Sequence, residues 1–245
     1  MKKTASIFLG LSLLAMMACT KTDNLAGPDS GFQGNLVDAT AGGKSNVLTE
    51  TGGMQIKLEE LSWSATPTPQ YIPSKPDGTF EDSQLFKGHY RVTPYGGAFW
   101  PVDPIELDIN GMTSHDFTIT PYAHITGLTW QLDTTTLTMN FKIDPPVKTG
   151  LPQIIDVRSY INVDKYVGAG ATISQYTDGS LDGSEQIRCF ESINADWNET
   201  MATKTFTLKI RNLKRGRTYY ARVGVRFNDS FKSSNLSEIF QVDVK

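Results

Sequence analysis

The chain is short of the residues that most often carry chemistry. Its 245 residues include two cysteines, Cys19 and Cys189, and three histidines, His89, His115 and His124. The histidines lack short ligand spacings such as the i, i+4 pair of a zincin helix, so each reads as a strand or turn residue and no metal site is expected. No serine stands in a Gly-x-Ser-x-Gly elbow, His115-Asp116 has no obvious nucleophile, and Cys189 has no histidine near it in sequence. The expectation is a non-enzymatic protein without a cofactor, although a triad assembled by folding stays open. A basic excess is also missing. Lysine and arginine total 23 against 26 acids, a net charge of −3, and without a basic stripe there is no electrostatic footprint for nucleic acid. Long apolar runs are absent too: Ile7 to Met17, interrupted by Gly10 and Ser12, is about half of the roughly 20 residues that a spanning helix needs.

That short run has another meaning. Lys2 and Lys3 precede it and small Ala18 follows it, which is the pattern of a secretory signal over residues 1–18, cut before Cys19. The pattern resembles the lipobox of bacterial lipoproteins. The resemblance implies that the Cys19 thiol is diacylated and the new amino terminus acylated with fatty chains such as palmitate, which anchors the protein to a membrane. Each buried methylene contributes about 0.8 kcal/mol, so three chains make a stable anchor. Loss of Lys2 and Lys3 with the signal takes the formal charge from −3 to −5. Cys189 is then left without an intrachain disulfide partner, and reads either as a buried inert thiol or as a reactive one.

Residues 19–30 are polar, with Gly27 and Pro28, and read as a flexible tether. Beyond them the apolar segments are short, rich in β-branched and aromatic residues, and separated by Gly, Pro and Asp clusters; no helical period persists. The fold class is therefore all-β, as two tandem β-sandwiches. Pro121 marks the junction, giving domains over 31–121 and 122–245. In the first domain, strands are expected at Gly31 to Ala39, Met54 to Leu61 and Tyr90 to Val92. Ile105 to Ile109 and Phe117 to Thr120 should form a closing pair, since Asn110-Gly111 between them is the strongest hairpin signal in the chain. In the second, Leu213, Gly216 and Tyr219 lead into a strand with Ala221, Val223, Val225 and Phe227 on one face and Tyr220, Arg222, Gly224 and Arg226 pointing outward. A loop leucine, a turn glycine and a tyrosine opening an alternating strand resemble the tyrosine corner of fibronectin type III domains, with Tyr219 as the corner residue.

Further segments carry a wider resemblance: Gly34 to Asp38, Asp77-Gly78-Thr79-Phe80, Leu85 to Tyr90, and Gly97-Ala98-Phe99-Trp100-Pro101. With the lipobox and tether, they resemble the DUF3823 lipoproteins of Bacteroidetes. The resemblance implies a transthyretin-like, carboxypeptidase-regulatory first domain and a fibronectin or immunoglobulin-like second domain. It also implies an outer-membrane location and a link to glycan-uptake systems, whose partners would be a TonB-dependent porin and a SusD-like lipoprotein. In that phylum an acidic cluster after the lipidated cysteine directs surface display. Thr20-Lys21-Thr22-Asp23 supplies one acid, so surface display is the expectation and the periplasmic face stays open.

Sugar binding by a β-sandwich needs flat rings that stack on the apolar faces of sugars, flanked by amides and carboxylates. The candidates are Trp63, Tyr71, Phe99, Trp100 and Trp197, each of which could equally plug the end of a sandwich; Trp130 reads as core or interdomain packing. Asp133-Thr134-Thr135 matches the short pattern at which Bacteroidetes attach O-glycans, with Thr134 as the acceptor. Asp178 to Glu185 reads as a solvated loop or, alternatively, as a calcium loop. The leading expectation is an accessory lipoprotein holding polysaccharide or partner proteins, and the competing one is an adhesin-like spacer with purely protein contacts.

Overall fold

A computed structural model describes residues 26–245. Cys19 and the signal segment lie outside the described residues. Among those described, no helix is long and apolar enough to cross a membrane.

The first domain places β1 (Ser30–Asp38) between β4 (Thr79–Leu85) on one side and β7 (Met112–Ser114) and β8 (Phe117–Ile119) on the other. A second sheet runs β3 (Gln70–Pro73), β2 (Gln55–Glu60), β5 (Gly88–Tyr95), β6 (Ile105–Ile109). Alternation fixes the inner faces: Ile56 and Leu58 of β2 and Tyr90 and Val92 of β5 are fully buried against Phe32, Leu36 and Phe80 of the other sheet. The rings of Phe32, Phe80 and Phe117 cluster at centroid distances of 5.4 to 6.4 Å.

Asn110-Gly111 does not close a hairpin here. β6 stays in its own sheet, paired with β5, whereas the chain beyond Gly111 crosses the sandwich and pairs in parallel with β1. Gly111 takes φ +66°, and β1 captures the corner, with Gly31 N–H donating to Gly111 O at 3.0 Å. Composition specifies a tight turn; it does not specify which sheet receives the strand that follows. Strand β1 is then shared, with β7 covering Gly31–Gln33 and β8 covering Leu36–Asp38. Between them the chain lifts over Gly34. A Cβ at Gly34 would lie 1.9 Å from the His115 carbonyl oxygen, so only glycine admits this close approach.

The second domain stacks two sheets. One runs β13 (Phe206–Ile210), β10 (Thr136–Asp144), β9 (His124–Asp133). The other runs β12 (Phe190–Ala195), β11 (Ile154–Asn162), β14 (Arg217–Phe227), β15 (Ser234–Leu236), with β16 (Phe240–Val244) also on β14. Short helices α1 (Ser174–Thr177) and α2 (Glu199–Thr203) sit in the connections. The core joins Leu137, Met139 and Phe141 to Val157, Ala221, Val223 and Val225. Tyr219 is buried, and the Lys214 amide donates to its hydroxyl at 3.2 Å across the turn, which is the corner geometry. The molecule is thus two tandem β-sandwiches.

The expected outward set on β14 is wrong for Gly224, which is buried beneath Leu236 and Tyr160, and for Arg222, which is completely buried. The first domain covers this face of the sheet. Arg222 Nε and Nη2 donate to Ser237 O at 3.0 and 2.6 Å, and Nη1 donates to Thr49 O at 2.7 Å and Val167 O at 3.4 Å. Every acceptor is a backbone carbonyl. Burial lowers the Arg222 pKa to about 10, so the group stays charged at neutral pH. Around it, Asn235 bridges Ala123 N–H at 2.8 Å and Ala98 O at 2.9 Å, and Glu50 accepts from Gly170 N–H at 3.1 Å.

Truncating Arg222 leaves buried carbonyls unpaired. Hydrogen bonds to charged groups contribute about 1.5–3 kcal/mol each, so Arg222→Ala is expected to lower unfolding stability by about 3 kcal/mol or more in chemical denaturation. Arg222→Lys should restore only part of this, because an ammonium cannot reproduce the planar fork.

Candidate functional site

A cleft of about 790 Å³ opens where the two domains meet. Its walls come from the end of β1, the 44–48 segment, the turn at Asp77, the start of β9, and the stretch from Asn235 in β15 to Phe240 in β16. At its floor His124 Nε2 lies 2.7 Å from Asp38 Oδ2 and 3.1 Å from Thr40 Oγ1. This pair ties the last residue of β1 to the first residue of β9.

Trp130 stands on the wall. It lies on β9, an edge strand, opposite Met139 of β10, and its ring stacks on Phe240 of β16 at 5.1 Å and 12°. The stack closes the open edge of the second sandwich and leaves Trp130 43% exposed. The sequence reading of Trp130 as packing captures one side of the ring only. Period-2 alternation puts Trp130 on the same face as Leu128 and Leu132, which pack on the core. Its position at an edge beside a cleft depends on where β16 lies.

The polar groups that line the same cleft are fixed in place. Asn46 Nδ2 donates to Asn35 Oδ1 at 3.2 Å and to Asp77 O at 2.9 Å. Asp77 Oδ1 accepts from the Thr79 amide at 3.1 Å and hydroxyl at 2.7 Å. Burial works to raise the pKa of Asp77, but these Thr79 bonds outweigh it and the net shift is downward. Lys44 and Glu238 complete the charged lining. The arrangement offers a flat ring, carboxylates, an amide and an ammonium around one groove, which is the chemistry that grips a sugar's apolar face and hydroxyls.

The five aromatic candidates are not brought together. Trp63 is 87% exposed in the β2–β3 connection. Tyr71 lies in β3 opposite Lys57 and beside Tyr95, centroids 5.5 Å apart. Phe99 is buried in the first core. Trp100 packs edge-on against Tyr122 at 5.5 Å, next to the domain junction. Trp197 packs on the second core, just before Asn198, whose side chain caps α2. The indole N–H groups of Trp100 and Trp197 are both buried without a hydrogen-bond partner. Thr134 is exposed at the tip of the β9–β10 hairpin with φ +53°.

Cys189 is buried, and its Sγ lies 3.3 Å from Asp182 Oδ2. Burial, and then the Asp182 carboxylate, push the thiol pKa up to about 12, which disfavours the reactive thiolate. Asp182 also pairs with Arg211 at 2.8 Å, Glu185 pairs with the same arginine at 3.3 Å, and Asp178 turns back to the Ser180 amide. The carboxylates of this loop therefore serve internal bonds. Among the described residues no group of three or more His, Cys, Asp or Glu is placed to hold a metal ion.

Two family models match the chain. The N-terminal domain of a protein of unknown function, DUF3823, matches residues 30–120, and a domain of unknown function, DUF3823_C, matches residues 124–241. A DUF3823 family protein from Bacteroides uniformis superposes with TM-score 0.76 at 20% identity, covering 89% of this chain and 100% of its own. A second B. uniformis protein, described as a "putative carbohydrate binding protein", gives 0.71 at 19% over the same shares. A DUF3823 family protein from Parabacteroides merdae gives 0.66 at 18%, again over 89% and 100%. No curated protein matches.

The Asp38–His124 pair makes the floor of the cleft pH-sensitive. Burial alone would raise the Asp38 pKa, but the Thr40 hydroxyl and amide and then His124 outweigh it, and the pKa falls below 3.8. A lowered folded pKa adds stability above the unfolded value, and this is lost as pH falls through the folded one. Urea denaturation is expected to show stability declining below pH 3.8 toward the lower folded value, with Asp38→Asn removing that part of the decline.

Proposed function

We propose that this chain, which belongs to the DUF3823 family, is a non-enzymatic lipoprotein that binds polysaccharide in the interdomain cleft. The observation that carries the reading is the Trp130–Phe240 stack beside the fixed polar groups of Asn46 and Asp77. Stacking on an aromatic ring suits a polymer of any linkage, and the surrounding carboxylates and amide select among hydroxyl patterns. The description of the B. uniformis neighbour as carbohydrate binding points the same way. In this reading lipid on Cys19 holds the protein on the outer membrane, displayed at the surface. There it serves a TonB-dependent porin and a SusD-like lipoprotein.

Calorimetric titration against a panel of polysaccharides tests the binding half. At least one neutral polysaccharide should bind, and Trp130→Ala should weaken it about tenfold, the equivalent of roughly 1.4 kcal/mol. Silence across the panel removes the reading. The anchor has its own test: labelled palmitate should enter the wild-type protein in cells and be absent from Cys19→Ser, which should also leave the membrane fraction.

A spacer bearing a protein partner is the second reading. Trp63 favours it, since a tryptophan 87% exposed on a loop is an unusually large apolar group to leave in water. Capture of a porin partner that persists in Trp130→Ala and is lost in Trp63→Ala would support this alternative.

A further inference from the structure

A second recess, of about 420 Å³, lies on the other side of β15 and shares only Leu236 with the lining of the Trp130 cleft. One wall is the 49–55 segment of the first domain, and the other is the outer face of β11 and β14. Asp156 of β11 is buried there between two arginines. Arg158 donates to it from Nε at 3.1 Å and Nη2 at 2.6 Å, and Arg226 does the same at 3.3 and 2.5 Å. Two guanidiniums on one carboxylate leave a net positive charge. Nη1 of each arginine has no protein acceptor among the described residues, and the two side chains are 28% and 30% exposed.

The rim is built as firmly as the floor. Asp229 accepts from Phe231 N–H and Ser233 N–H, both at 3.1 Å, and from the Ser233 hydroxyl at 2.5 Å. This holds Lys232 at φ +55° and sets Phe231 and Lys232 at the mouth. Phe231 meets Tyr95 of the first domain edge-on at 4.9 Å, and Tyr95 meets Tyr71 at 5.5 Å, so an exposed band of rings runs across the domain boundary. At the base, the Tyr160 hydroxyl is buried without a completed hydrogen bond, although Ser234 lies beside it. Arg222 stands behind the Thr49 wall as a further buried cation. Glu50 is the acid in the lining, and its Oε2 is engaged by Gly170 N–H. Lys232 Nζ donates to Asn228 Oδ1 at 2.5 Å, and the four cations Arg158, Arg226, Lys232 and Arg222 outnumber the three carboxylates of Asp156, Glu50 and Asp229, a local excess of one positive charge that favours an anion.

The geometry points to a sugar unit bearing an oxyanion, a uronate carboxylate or a sulfate ester. The anion faces Nη1 of Arg158 and Arg226 with Lys232 at the rim, and the ring lies against Phe231 and Tyr95. Charge-assisted bonds to guanidinium are roughly twice as strong as neutral ones, so the anion is the anchoring group. The inference rests on the glycan-binding reading for its polymer class but uses a different site.

The test is calorimetric titration of the mature protein with polygalacturonate and alginate as carboxylate probes, carrageenan as the sulfate probe, and methyl-esterified pectin as the neutral control. At least one acidic probe should bind, more weakly with added salt. Methyl-esterified pectin should bind at least about tenfold more weakly than the acid. The Phe231→Ala/Lys232→Ala double variant should lose at least about tenfold for the acidic probe at unchanged melting temperature. Equal binding of acid and ester, or wild-type affinity in the double variant, overturns the proposal. Silence of every acidic probe while neutral polysaccharides bind through Trp130 overturns it and leaves the cleft reading standing. Acidic binding lost in the double variant, beside a silent neutral panel, does the reverse.

Discussion

A charged guanidinium with no carboxylate partner sits at the centre of this molecule and determines how its halves relate. Arg222 belongs to the second sandwich by sequence, yet one of its acceptors, Thr49 O, belongs to the first. Three of its four hydrogen bonds stay within the second domain, and the Thr49 bond is the one that sliding or separation of the domains gives up. The carbonyl cage is therefore a positional lock more than a source of net stability. Both recesses, the Trp130 cleft and the Arg158–Arg226 groove, are cut into the boundary that this lock holds. Their walls come from different domains but keep one geometry, and a preorganised site loses less on ligand binding than one that must assemble.

The same lock explains what the sequence shows and what it hides. Alternation on β2, β5 and β14 reports inward faces correctly because a sandwich interior is always apolar, and Tyr219 is legible because its corner lies within a few residues of chain. Arg222 is not legible. An arginine in an outward position looks solvated until another domain covers that face, and the covering segment lies 173 residues away in sequence. Asn110-Gly111 fails for a related reason: local composition encodes the turn, while the receiving strand is chosen by the space left beside β1.

The aromatic residues follow the same division. Phe99 and Trp100 lie in one of the segments that carry the family resemblance, and that segment packs the first core and the junction with Tyr122. Such a motif serves packing as readily as binding. The rings that border recesses, Trp130, Tyr95 and Phe231, have no shared sequence signature because they come from three separated strands and turns. Phe231 gains its place through Asp229, whose capped turn is local, and through Tyr95, which belongs to the other domain.

Strand β1 gives the first domain a mechanical character. It enters at Ser30, on the side where the chain toward Cys19 joins the body, and ends at Asp38 on the floor of the Trp130 cleft, about 26 Å away at ~3.3 Å per residue. Its neighbours β4, β7 and β8 flank it along both edges. A force applied between Ser30 and Asp38 runs along this strand, so its ladder bonds are strained side by side in shear and not unzipped in succession. The strand that joins the two ends of the load is thus the one best braced to resist it.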